Sequence, residues 1–159
     1  MQKPTKRLSP AAAKEKIYAY CAYQERSHQE VKNKLFEFGL YASEVDEILS
    51  HLITEGYLNE ERFAKAFAGG KFRIKNWGRI KIIHELEARG LTKNCIHSGI
   101  GEIDEAAYQE TLLQLLTKKS AQLPRENGFK KRDKLARFAI QKGYESELVW
   151  KFVKDIVKE

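Results

Sequence analysis

The sequence predicts an all-α protein of three tandem three-helix repeats stacked into an elongated, curved body. Its 159 residues show no sustained apolar–polar alternation, and the one Asn-Gly pair, Asn127-Gly128, lies between helix-like segments rather than β-branched runs. Helical period takes its place. Val45, Ile48, Leu49, Leu52 and Ile53 recur at i, i+3, i+4, i+7 and i+8, and Val149, Phe152, Val153 and Ile156 repeat that stripe. The third observation is a repeat around Gly39, Gly90 and Gly143. Eight residues before each stand Val31, Ile82 and Leu135; six after, Val45, Ile96 and Val149; ten after, Leu49, Ile100 and Val153; thirteen after, Leu52, Ile103 and Ile156. The pattern weakens four before the glycine, where Ala139 stands against Leu35 and Leu86.

The expected helices, in chain order, cover 10–25, 28–38, 44–55, 60–74, 79–89, 93–102, 105–122, 130–142 and 146–157. Ser27 with Glu30 forms a capping-box signal for the second, since hydroxyl and carboxylate each satisfy an orphan N–H of the first turn. Ser43 with Asp46 begins a weaker signal of the same kind for the third. Asn59 caps the fourth, with Glu60 and Glu61 set where the helix dipole is positive. Gly39, Gly56, Gly90 and Gly143 follow apolar-periodic stretches and suit the left-handed C′ position. The units divide as 1–57, which includes a basic N-terminal segment, 58–103 and 104–159. Units of about fifty residues bury little apolar surface alone, so each is expected to lean on its neighbour.

Composition narrows the function. With 42% hydrophobic and 32% charged residues the chain is expected to fold. No apolar run approaches the roughly 18 residues of a membrane helix, and the N-terminus has no hydrophobic signal core, so a soluble, cytoplasmic protein is expected. Cys21 and Cys95 form no CxxC pair and read as reduced and mostly buried. There is no P-loop, GxGxxG or GxSxG, and His28, His51, His84 and His97 are dispersed without HExxH or zinc-finger spacing. Cys95 and His97 alone do not make a metal site. A non-enzyme without cofactor or metal, acting as a monomer through binding, is the expectation.

The net charge of +7 is polarised: residues 1–24 carry +4, residues 25–62 carry −5 and residues 63–159 carry +8. Lys71, Arg73, Lys75, Arg79 and Lys81 fall within eleven residues that hold no acid, with Phe72 and Trp77 between them. A second cluster comprises Lys118, Lys119, Arg125, Lys130, Lys131, Arg132 and Lys134, interrupted by Glu126 and Asp133. Either cluster suits a phosphate backbone or an acidic protein surface. Phe72 reads as core, while Trp77 is equally a stacking residue or a packing anchor. Tyr18, Tyr20, Tyr23, Tyr41, Tyr57 and Tyr144 suit helix seams with the hydroxyl at the surface. The chosen binding candidates are Arg73, Lys75, Trp77, Arg79 and Lys81, with Lys130, Lys131 and Arg132 as lesser ones.

The stretch Gly56-Tyr57-Leu58-Asn59-Glu60-Glu61-Arg62-Phe63-Ala64, followed by a basic segment, Gly78, Ile82, Glu85-Leu86 and Gly90-Leu91, resembles the RecX (OraA) family. The resemblance is strongest over about residues 25–103 and continues through Lys134-Leu135-Ala136-Arg137-Phe138 and Lys142-Gly143-Tyr144. The chain departs from the family pattern at Asn59-Glu60, where Asp pairs are common, and at Asn76-Trp77-Gly78, where a Gly-Tyr-Gly turn is usual and one residue is extra. The resemblance implies tandem three-helix repeats and a non-enzymatic regulator of DNA repair and recombination. Such a regulator binds the RecA–DNA nucleoprotein filament and inhibits its growth, ATPase and recombinase activities. It carries Phe63, Gly78 and Gly90 over as motif positions. The competing reading is a direct DNA- or RNA-binding helical module. It is suggested by helix pairs joined by a short Gly turn and opposed by Glu44, Asp46 and Glu47 at the start of the would-be recognition helix.

Overall fold

The computed structural model describes residues 7–123 and 125–158, so the first six residues of the basic N-terminal segment lie outside it. The described residues form nine helices and no strand: α1 (Pro10–Tyr23), α2 (His28–Glu37), α3 (Ala42–Thr54), α4 (Glu60–Lys75), α5 (Arg79–Ala88), α6 (Lys93–Ile100), α7 (Glu105–Ala121), α8 (Gly128–Gln141) and α9 (Ser146–Ile156). Helix packing groups them as α1–α3, α4–α6 and α7–α9. The accessible surface is 10178 Å², against about 8200 Å² for a compact monomer of 18.4 kDa, as an elongated body requires.

Most caps follow the sequence. The Ser27 Oγ accepts from the Glu30 N–H at 3.1 Å, and Asn59 Oδ1 from the Arg62 N–H at 2.9 Å. Two starts differ. Helix α3 begins at Ala42 because Glu44, rather than Asp46, reaches back to accept from the Tyr41 N–H at 2.9 Å, and Arg7 holds that carboxylate in place. Helix α8 begins at Gly128 because Asn127 caps it, accepting from the Lys130 N–H at 2.9 Å.

The repeat is most exact at its turns. The residues that close α2, α5 and α8 have φ/ψ of −72/−4° at Phe38, −89/5° at Arg89 and −75/−9° at Lys142. The next residues, Gly39, Gly90 and Gly143, have φ of 87°, 78° and 103°, which only glycine adopts without strain. The residue after each glycine returns its N–H to Leu35, Leu86 or Ala139 at 3.4, 3.3 and 3.2 Å. Within the second unit Gly99 lets α6 press on the α4 backbone: a Cβ there would stand 2.7 Å from the Ala64 carbonyl oxygen.

The apolar residues do not form an even series of leaning units. They gather into two cores. One holds Ile17, Val31, Leu35, Val45 and Leu52 of α1–α3, together with Leu58. The other runs unbroken through both later units, from Phe63 and Leu86 to Tyr108, Leu116, Leu135 and Val153. Cys21 is buried, which pushes its thiol up to about 11, whereas Cys95 is half-buried, and both are free.

Candidate functional site

The site lies where the second and third units meet, and the meeting is made by backbone. The Gly78 N–H donates to the Lys142 carbonyl at 2.8 Å, and the Ile80 N–H to the Gly143 carbonyl at 2.9 Å. Neither glycine has room for a side chain: a Cβ on Gly78 would stand 2.3 Å from the Gly143 carbonyl carbon. Asn76, in the left-handed conformation at φ 58°, turns the chain out of α4, and its carbonyl accepts from the Tyr144 hydroxyl at 3.0 Å.

On one side of this joint Arg79 is enclosed. Its guanidinium lies over the Tyr108 ring, 3.8 Å from the centroid, and donates to Glu145 at 2.9 Å and Glu105 at 2.7 Å. The Tyr108 hydroxyl accepts from the Arg79 backbone N–H at 2.9 Å and donates to Glu145. Burial, then the hydrogen bond to Glu145, drives the Tyr108 hydroxyl well above the ordinary tyrosine range. Burial alone would raise the Glu145 carboxyl. The hydrogen bonds from Tyr108 and Arg79 together outweigh it and hold that carboxyl below its usual value.

Around Trp77 the same joint is basic. The half-buried indole meets the edge of Phe67 at 6.3 Å, with Lys71 Nζ 5.1 Å and Lys81 Nζ 4.6 Å from its centroid. Lys75 lies one turn beyond Lys71, and Lys142 Nζ reaches its carbonyl at 3.4 Å. Among the described residues none of these four lysines is in a salt bridge, although Arg7, Arg62, Arg79, Arg89, Lys134 and Arg137 each pair with an acid. The arrangement sets the ammonium groups of Lys71 and Lys81 over one aromatic face, with Lys142 drawn to the end of α4 at Lys75, which suits phosphates or carboxylates.

Of the expected residues the structure brings Lys81 onto Trp77, and it places Lys75 at the end of α4 with its carbonyl on Lys142. Arg73 lies on the other side of α4, folded along Gly69, and Arg79 is taken into the joint. Lys130, Lys131 and Arg132 occupy the opposite end of α8, about 18 Å along the axis from Lys142, and Arg132 donates to the Val157 carbonyl at 3.3 Å. Sequence reasoning missed Lys142 as a member of the patch and Tyr108 as the centre of the joint. Tyr144, expected at a seam with its hydroxyl outside, is completely buried. Lys71 carried a signal, its place in the acid-free run; Lys142 is placed only by the Gly78–Gly143 contact. Among the described residues no group of three metal-ligating side chains gathers, and no helix is long and apolar enough to cross a membrane.

Comparison with known proteins agrees with this architecture. Residues 59–99 match the model of the RecX second three-helix domain, and residues 106–153 that of the RecX third three-helix domain. The chain is 26% identical over 132 residues to the regulatory protein RecX of Prosthecochloris aestuarii, covering 82% of this chain and 83% of that one. It is 28% identical to regulatory protein RecX of Clostridium botulinum, of which it spans 61%, and 28% identical to that of Listeria monocytogenes, of which it spans 49%. The crystal structure of RecX from Lactobacillus salivarius superposes with a TM-score of 0.84 at 18% identity, covering 92% of this chain and 96% of that one. A second crystal structure of regulatory protein RecX gives 0.80 at 19% identity, over 94% of this chain and 72% of that one. With the two domain models spanning more than half of its length, the chain belongs to the RecX family of regulatory proteins.

Proposed function

We propose that the protein binds the RecA–DNA nucleoprotein filament and inhibits its growth, ATPase and recombinase activities, acting in the cytoplasm without chemistry of its own. In this reading the units 1–57, 58–103 and 104–159 are docking modules of one elongated monomer, able to touch more than one subunit of a helical polymer. The observation that carries it is the set of lysines without acidic partners at the joint of the second and third units, Lys71 and Lys81 over Trp77 and Lys142 against the Lys75 carbonyl. A polyanion or an acidic protein face supplies the missing counter-charge, and the filament offers both.

Arg79 does not belong in the test, because a carboxylate in its place would face Glu105 and Glu145 and open the joint. The variant is Lys71→Glu, Lys75→Glu, Lys81→Glu and Lys142→Glu together. Wild-type protein in excess should lower the DNA-dependent ATPase of RecA and shorten its filaments in electron micrographs. The variant should do neither while keeping its helical circular dichroism. Unchanged RecA activity with the wild-type chain would sink the proposal, and full inhibition by the folded variant would move the binding face elsewhere. Direct DNA binding as the whole function instead predicts tight RecA-independent binding that falls steeply with added salt.

A further inference from the structure

Between the two cores the chain has a single residue outside any helix. Leu58 ends the core of the first unit, Phe63 begins the next, and only Asn59 between them is non-helical. Among the described residues every side-chain hydrogen bond and ion pair that joins the first unit to the second involves Glu60 or Arg62, in the first turn of α4. Arg62 donates to Glu25 at 2.6 Å and to the Gly56 and Tyr57 carbonyls at 3.0 and 3.4 Å, while Glu60 accepts from the His28 N–H at 3.1 Å. No backbone–backbone hydrogen bond joins these two units among the described residues, so rotation about Asn59 breaks none. Polar contacts gathered at one end of an open interface make a hinge.

From the hinge a cleft of about 460 Å³ runs along α4, with Glu25 and Glu30 of the first unit on one wall and Phe63, Phe67, Lys71 and Arg89 of the second on the other. Lys71 lies about 14 Å along the helix axis from Arg62, so it stands at the far mouth. The walls are opposite in charge, yet among the described residues no ion pair joins Glu30 to Lys71 or Arg89. Each of these groups faces its own side. Glu30 accepts from the Ser27 hydroxyl at 3.3 Å, within its capping box. Arg89 lies over the Phe67 ring, 4.7 Å from the centroid, and meets Glu85 of its own helix at 3.3 Å. Lys71 Nζ lies between Phe67 and Trp77, 5.4 and 5.1 Å from the centroids.

We propose that the first unit is a hinged arm that swings about Asn59 and closes its acidic wall on Lys71, so that the candidate site carries its own counter-charge. Closure sets Glu25 or Glu30 against Lys71, and a polyanion that takes Lys71 displaces the arm and leaves the molecule open. Exposed ion pairs are weak, so the open and closed forms are both populated and the pairing shifts their ratio about two- to fivefold. The consequence for filament binding rests on the reading of Lys71 as part of the binding site. The closure itself does not, and its test involves no RecA.

The test is zero-length cross-linking of the full chain with a water-soluble carbodiimide, which joins a carboxylate to an ammonium group only where the two touch, read by mass spectrometry. The Glu61–Lys65 pair within α4 is the internal reference. A cross-link from Lys71 to Glu25 or Glu30 should form at about 10 mM salt and fall about two- to fivefold relative to the reference at about 1 M. Dextran sulfate, which carbodiimide does not activate, should suppress it at constant ionic strength and spare the reference. Glu25→Gln with Glu30→Gln should abolish it while helical circular dichroism is kept, since a glutamine still completes the Ser27 capping box. No Lys71 cross-link at low salt, a yield that salt leaves unchanged relative to the reference, or one that dextran sulfate leaves unchanged would each overturn the proposal.

Discussion

The junction of the first and second units and that of the second and third are made from equivalent parts, with opposite results. In the later junction Gly78 and Gly143 touch backbone to backbone, Tyr108, Arg79 and Glu145 close the side, and the core continues across. In the earlier one Ser27 stands where the repeat has Gly78, and Gly90 stands where it has Gly143. Contact there passes through polar side chains, Arg62 Nε to Glu25 at 2.6 Å and His28 to Glu60 at 3.6 Å. Two clefts of about 460 and 430 Å³ remain, and the cores stay separate. The fused joint thus has glycine on both sides of its backbone contact, whereas the open one has Ser27 and Gly90 at those positions.

The comparison breaks most sharply at the glycines. Gly90→Ala should cost about 1 kcal/mol, the strain of a left-handed alanine with free space around it. Gly143→Ala carries the same strain and drives its methyl to 2.4 Å from Lys81 Cβ and 2.7 Å from the Lys81 backbone nitrogen. Overpacking brings its cost to about 2–4 kcal/mol in urea unfolding. Equal costs for the two variants would mean that the later joint is no tighter than the earlier.

The difference between the junctions also marks what a sequence shows. Helix number, order and most boundaries were legible, because apolar period, caps and four turn glycines are local signals. The basic run 71–81 was legible as charge but not as a surface. Helical period sets Lys71 and Lys75 on one face of α4 and Arg73 on another, and the Asn76 turn sends Arg79 into the joint while Lys81 returns to Trp77. Tyr108 and Lys142 join the site through contacts 29 and 67 residues long in sequence, which no local pattern encodes.

A smaller effect comes from Tyr108 and its carboxylate. Tyr108→Phe leaves the Arg79 N–H and Glu145 without their shared partner and should cost about 1–2 kcal/mol. The same cluster gives the later junction a pH dependence. The Glu145 pKa is lower folded than its ordinary 4.5, so its contribution is complete above that value and is lost as pH falls through the lower folded value. In Glu145→Gln the fall in stability below about pH 4.5 should be shallower than in wild type. An unaltered slope would show that Glu145 is not held by Tyr108 and Arg79.

The smallest effect belongs to the earlier junction. Arg62 also donates to the Gly56 and Tyr57 carbonyls at 3.0 and 3.4 Å, so the clean change is to its partner, Glu25→Gln. This exposed pair should contribute about 0.2–1 kcal/mol and less as salt is added. Both tryptophans, Trp77 and Trp150, pack on the core of the second and third units. Tryptophan fluorescence therefore follows that core alone, while circular dichroism follows every helix. If the first unit is coupled only through polar contacts, Glu25→Gln shifts the dichroism transition slightly and leaves the fluorescence midpoint where it was. A common shift of both midpoints would show that the open junction transmits stability as the fused one does.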